Sequence, residues 1–251
     1  MIRTEVSAMN EKDFVYELMA DSSDINENNC LKPYAYQDLF GKVVDKHLNN
    51  VNLNVDTTIK YNLVWVLISL SVEIVKPVDP HRKLLAQTWY SQRKGPLFRR
   101  EFVFTNESSE LVFHGSSFSV LMEYDNRKIF RKKELPFDLG LPKEEFTIEA
   151  YPSFKTHLEF EKIDDRKVYN SFIDYIGHVN NTRYGEFAYD ALDEDERNSL
   201  DRIRRYDMFF NSELRINDTF SVYKAKEDKK IFVRGINNAT GEVSFDIIMS
   251  E

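Results

Sequence analysis

A single cysteine, Cys30, stands in a chain of 251 residues, which excludes an internal disulfide and leaves no thiol cluster for zinc. Long uncharged apolar runs are also missing, so no stretch is suited to cross a bilayer as a helix. Residues 1–10 hold no apolar segment of the kind that marks a secretion signal, and the expectation is a soluble, unexported protein of the reducing cytoplasm. Positive charge is in deficit, with 34 Lys and Arg against 42 Asp and Glu and a net charge of -8. General nucleic-acid binding is therefore not expected, because neutralising phosphates needs a basic face. Glycine forms no phosphate-binding loop between a strand and a helix, and no cofactor is expected. His47, His81, His114 and His157 pair neither with one another nor with the cysteine, so no metal is assigned to them.

What is present is a pattern that occurs twice. A helix opening at Pro33, where a missing N–H costs nothing, carries Tyr36, Leu39, Phe40, Val43, Val44 and His47 on one stripe. A second helix follows Asn180 or Asn181, either of which can cap it, and repeats the stripe with Tyr184, Phe187, Ala188, Ala191 and Leu192. Strand-like runs at 63–75, 84–90, 97–105 and 111–122 follow the first helix, and runs at 206–216, 219–224, 230–236 and 242–249 follow the second. One more strand precedes each helix, at 14–19 and at 168–173. The spacing predicts an α+β protein in which an antiparallel sheet wraps a long helix, made twice. The linking stretch 123–152 is charged, contains Pro136, Pro142 and Pro152, and is too long for a tight connection. It is expected to cross one face of the protein, with a boundary near Pro152 dividing 1–152 from 153–251.

Two local features point to chemistry. Asp174, Gly177 and His178 lie just before the second helix, whose free N–H groups and partial positive charge suit a carbonyl oxygen that gathers negative charge. Arg127, Lys128, Arg131, Lys132 and Lys133 form a basic run in an acidic chain. That run reads either as a solvated connector or as a dock for an acidic partner.

Asp174-x-x-x-His178-Val179-Asn180-Asn181-x-x-Tyr184, set before the second helix of a duplicated sheet-and-helix unit, resembles the acyl-acyl carrier protein thioesterases of the tandem (double) hotdog fold, bacterial type. The resemblance also takes in Trp65-Val66-Leu67, Thr88-Trp89, Arg99-Arg100-Glu101-Phe102 and Ser117-Phe118-Ser119-Val120-Leu121. It implies hydrolysis of a fatty acyl thioester to free fatty acid in fatty acid biosynthesis. The N-terminal repeat and connector (1–152) would hold the acyl chain, and the C-terminal repeat (153–251) would carry the catalytic residues. Glu213 falls at the place of the family's glutamate and is expected on a strand, with burial raising its pKa so that it acts as general base. Asp174 would orient the imidazole of His178, and Asn180 and Asn181 would face substrate.

Phe40, Trp65, Leu67, Trp89 and Phe118 are candidate walls of an acyl tunnel, although ordinary core packing accounts for them as well. The basic run becomes a candidate docking strip for the acidic acyl carrier protein. Two departures stand out. The family's asparagine two residues after the aspartate is Ile176 here, and Leu214 stands where some members have a cysteine, so no thiol chemistry is expected there. An acyl-CoA thioesterase, and an acyl-binding protein weakened at Ile176, remain as alternatives. The duplication satisfies the usual pairing of single hotdog units within one chain, and a further homodimer is left open.

Overall fold

The computed structural model describes residues 14–251, so the reading of residues 1–10 falls outside the described part. Helix α1 (Pro33–Asn50) begins where Pro33 needs no amide partner and buries Tyr36, Leu39, Phe40, Val43 and His47 along its stripe. A short helix, α2 (Val55–Thr58), follows under the side-chain cap of Asn54. Helix α3 (Asn181–Asp190) starts under Asn180, whose side chain accepts the Thr182 N–H, and buries Tyr184, Phe187 and Ala188. Short α4 (Glu194–Asn198) is closed by a reciprocal cap between Asp193 and Glu196. Helices α1 and α3 lie side by side and very close, since a Cβ on Gly185 would come within 2.8 Å of the Tyr34 Cβ.

Ten antiparallel strands form one sheet: β1 (Tyr16–Leu18), β2 (Leu63–Ile74), β3 (Leu84–Lys94), β4 (Leu97–Asn106), β5 (Leu111–Glu123), β6 (Glu161–Lys167), β7 (Arg205–Phe210), β8 (Thr219–Glu227), β9 (Lys230–Asn237) and β10 (Val243–Ser250). Their spatial order is β1-β3-β4-β5-β2-β7-β10-β9-β8-β6. Read outward from the centre, both halves have the same order, with β2 and β7 as counterparts, then β5 and β10, β4 and β9, β3 and β8, β1 and β6. The expected duplication is thus present in the topology, and the fold is a tandem hotdog of the α+β class. The two sheets are fused through β2 and β7, which pair from Ser69 with Phe209 to Glu73 with Arg205. Ser71 donates to Asp207 at 2.6 Å across this seam.

Two strand expectations change. The strand before α3 is β6 at Glu161–Lys167, not 168–173, where the chain instead makes a single tight turn at Asn170–Phe172. The sequence of β6, rich in charge, lacks apolar alternation because it lies at the sheet edge, whereas Val168 attracts attention only as a buried plug beyond the strand's end. Strand β7 stops at Phe210 instead of reaching 216. The amides of Asn211 and Ser212 both turn onto the Ser244 carbonyl, at 2.8 and 3.3 Å, and the chain leaves the sheet beside a bulge in β10.

The connector crosses the outer face of the sheet, as its length requires. Phe130 and Leu139 close one end of the N-terminal half against Leu63 and Leu121. Ile148 and Ala150 cover Phe118, and Phe154, Leu158 and Phe160 cover Phe209, Phe232 and Ile248 of the second half. Polar anchors fix its course. Buried Glu101 accepts Thr147 N–H and Oγ1–H at 3.0 and 2.8 Å, Arg99 donates to the Ile148 carbonyl at 2.6 Å, and Ser69 donates to the Tyr151 carbonyl at 2.8 Å. Pro152 lies within this run, before β6 begins. Among the described residues no helix is long and apolar enough to cross a membrane.

Candidate functional site

The segment before α3 is folded by its own aspartate. The Asp174 carboxylate accepts the N–H groups of Ile176 at 3.0 Å and His178 at 3.3 Å, while Asp174 N–H donates to the His178 carbonyl at 2.8 Å. Gly177 takes a positive φ of 82° at the turn, a region that glycine enters without steric penalty. Asp174 thus positions His178 through the backbone, and its hydrogen bonds go to amides instead of the ring. Val179 N–H reaches the Leu214 carbonyl at 2.9 Å, and Leu214 N–H reaches the Tyr184 hydroxyl at 3.4 Å, so the loop 211–218 is tied to both the histidine segment and α3.

Those ties bring His178 and Glu213 together. Nε2 of the buried imidazole lies 2.8 Å from Glu213 Oε2. Glu213 stands in the loop after β7, not on a strand. Its pKa also moves opposite to expectation. Burial pushes the carboxyl up, but the hydrogen bond and charge of His178, the Arg215 hydrogen bond and the Arg127 charge together outweigh that and bring it down to about 2. Glu213 is consequently ionised throughout the neutral range. Arg215 Nη2 approaches Oε2 at 3.1 Å from the solvent side.

Arg127 is the residue whose place the sequence misrepresented. It does not lie in the basic strip but turns inward from the tight return after β5, where its φ is 58° and its N–H bonds the Glu123 carbonyl. One guanidinium nitrogen, Nη1, contacts His178 Nε2 and lies 3.4 Å from both Glu213 oxygens, and the other donates to the Ile176 carbonyl at 3.0 Å. Nothing in the run of basic letters signals this, because the turn that reverses the side chain depends on its backbone. Lys128, Arg131, Lys132 and Lys133 remain exposed on the adjoining surface. Arg93 holds that stretch in place by donating to the carbonyls of Lys132 and Lys133.

A cavity of about 570 Å³ opens between α1 and the inner face of the N-terminal sheet. Phe40, Val44 and Leu48 of α1 face Trp65 and Leu67 of β2, Tyr90 of β3, and Phe98 of β4 across it, and Leu139 from the connector adds to its wall. The space exists because β5 presents Ser117 and Ser119 there. At the other end the cavity reaches Tyr175, Asn180, Asn181 and Thr182, which flank His178 along the chain. Five of the seven proposed substrate contacts, Phe40, Trp65, Leu67, Asn180 and Asn181, therefore meet at one space. Trp89 does not. It faces the outer side of the sheet, where its Nε1–H bonds the Glu145 carbonyl of the connector, and Phe118 faces outward too, beneath Ile148. Alternation along each strand placed both on the covered face.

The expected use of the α3 amides is reduced, since Asn180 already engages Thr182 N–H with its side chain and Arg183 N–H with its carbonyl, at 3.0 and 2.9 Å. For metals, the group with suitable spacing among the described residues is Asp21, Asp24 and Asp38. Lys42 bridges two of these, Asp21 and Asp38, at 3.0 and 2.7 Å, and offsets part of their charge.

Comparison with known proteins agrees with the fold. The model of the acyl-ACP thioesterase N-terminal domain matches residues 10–134. An acyl-ACP thioesterase from Bacteroides thetaiotaomicron superposes with a TM-score of 0.83 at 21% identity, over 96% of this chain and 99% of that one. The 12:0-ACP thioesterase from Umbellularia californica gives 0.72 at 13% identity, over 94% and 96%. Comparison with curated protein sequences gives no match. With the tandem hotdog on the structural side and the family model on the sequence side, the chain belongs to the acyl-ACP thioesterase family and is a thioester hydrolase.

Proposed function

We propose that the protein hydrolyses fatty acyl thioesters of acyl carrier protein in the cytoplasm, releasing free fatty acid, and that His178 and Glu213 are its catalytic pair with Asp174 positioning the histidine. The observation that carries this reading is the 2.8 Å contact between Glu213 and His178 Nε2, the histidine lying in the same segment whose Tyr175, Asn180 and Asn181 line the largely apolar-walled cavity of the N-terminal half. A carboxylate held at a pKa of about 2 is a weak base by itself. The imidazole therefore takes the proton from the attacking water, and the ionised Glu213 stabilises the imidazolium that forms. The water oxygen bonds to the carbonyl carbon, the C–S bond then breaks, and the imidazolium returns the proton to the departing thiolate. The exposed Lys128, Arg131, Lys132 and Lys133, next to Arg127 at the site, supply positive charge where an acidic carrier would present its acyl arm.

The test is hydrolysis of a panel of acyl-carrier and acyl-CoA thioesters, with mass spectrometry of any bound lipid. Turnover confined to carrier substrates, together with a loss of about 10²- to 10⁴-fold in Glu213→Gln and His178→Ala, is the expected result. Turnover confined to acyl-CoA, or a bound acyl chain with no turnover, would replace this reading, and normal rates in both variants would remove the site.

A further inference from the structure

The N-terminal half contributes a side chain to the catalytic centre of the C-terminal half. Arg127 belongs to the return after β5, a strand of the cavity-bearing repeat, yet its guanidinium ends among Glu213, His178 and the Ile176 carbonyl. The two guanidinium nitrogens do different things. Nη2 holds the turn that carries His178, through Ile176 O at 3.0 Å, while Nη1 lies 3.4 Å from each oxygen of Glu213. A planar, forked cation suits this arrangement, because its two nitrogens reach a backbone carbonyl and a carboxylate from fixed, separate positions. At 33% side-chain exposure, the guanidinium also acts in a partly desolvated setting where charge is less screened.

We infer that Arg127 is a positioning residue of the hydrolytic reaction, clamping the His178 turn to Glu213 from the opposite repeat and setting the charge balance of the pair. This rests on the reading of His178 and Glu213 as the catalytic pair. The clamp makes chemistry depend on the N-terminal half in a way that chain binding does not. Since Lys128 follows directly and starts the exposed basic strip, the clamp is also continuous with the surface proposed to meet the carrier.

Several charged groups face Glu213: His178 from the turn before α3, Arg127 from the return after β5, and Arg215 from its own loop, with Asp174 and Tyr184 close by. Arg127 opposes protonation of Glu213, because a proton there cancels the negative charge that the guanidinium attracts. Removing it makes protonation easier. The acid limb of activity, where Glu213 takes up a proton, accordingly moves to higher pH.

The measurement is kcat and KM against pH for Arg127→Gln and Arg127→Lys with the decanoyl thioester of N-acetylcysteamine, a small substrate that needs no docking strip. Melting temperatures and the Glu213→Gln variant run alongside. The expected result for Arg127→Gln is a fall of about 10- to 100-fold in kcat, little change in KM, an acid limb moved to higher pH and a melting temperature near that of the parent. Arg127→Lys should return the limb towards its original place without restoring full kcat, because a single ammonium nitrogen does not take both places of the guanidinium fork. An unmoved limb in Arg127→Gln, whether kcat is normal or falls together with melting temperature, overturns the inference while an inactive Glu213→Gln keeps the site itself. An active Glu213→Gln overturns both.

Discussion

The two halves share one strand order and differ in what lies beneath the helix. In the N-terminal half an 18-residue α1 faces β5, whose inward positions Ser117 and Ser119 are small, and a cavity remains. In the C-terminal half a 10-residue α3 faces β10, the counterpart of β5, whose Phe245, Ile247 and Met249 are fully buried. Tyr184 stacks on Phe245 at 5.0 Å and Phe187 meets Phe220 at 4.9 Å, leaving that half filled. A Cβ on Gly235 would come within 2.0 Å of the Phe245 ring, so even the neighbouring strand yields room to the aromatic. The same scaffold therefore does two jobs. Small residues at two inward positions of β5 leave the space that the proposed function gives to the acyl chain, and large ones on β10 back the loops that carry His178 and Glu213.

Breaking the filled half should have the largest effect. Phe245→Ala removes a fully buried ring and is expected to cost about 3–5 kcal/mol by denaturant unfolding, with catalysis lost as the base of the site loosens. A loss under about 1 kcal/mol would mean that the second core is not the rigid one. Sharpening the open half comes next. Ser119→Phe, which fills the cavity from β5, should lower kcat/KM for long acyl chains by about tenfold relative to short ones with little change in melting temperature. A uniform loss at every chain length would remove the acyl chain from this cavity. The smallest effect is on the surface between them. Reversing Lys128, Arg131, Lys132 and Lys133 to glutamate should raise the KM for carrier-bound substrate by roughly severalfold to tenfold at low salt, and the difference should shrink as salt is added. An equal change with a small thioester would show that the strip does not dock the carrier.

How far the letters carry can be followed residue by residue. Pro33, Asn180 and the two helical stripes mark both helices, because capping and periodicity are local effects. The repeated spacing of strands implied the duplication for the same reason. Strand β6 escaped because an edge strand needs no apolar face, and the end of β7 escaped because two amides share the Ser244 carbonyl from a distant strand. Trp89 has the composition of a tunnel wall, but the register of β3 turned it toward the connector. The meeting of His178 and Glu213 was implied by the resemblance to the family. The low pKa of Glu213 was not, since Arg127, His178 and Arg215 converge on it from three separate stretches of chain. Arg127 was legible only as charge, and its direction was decided by a backbone turn at φ 58°.

Fusing two units through β2 and β7 leaves β6 as an outermost strand with a row of backbone groups open to pairing. Its sequence, Glu-Lys-Ile-Asp-Asp-Arg-Lys, sets charge at six of seven positions. An incoming strand would have to bring complementary charges in register or leave like charges opposed, so this border discourages recruitment of foreign chains and protects against edge-to-edge aggregation. The residues that hid β6 from a reader of apolar patterns are the ones that let an extended sheet stop.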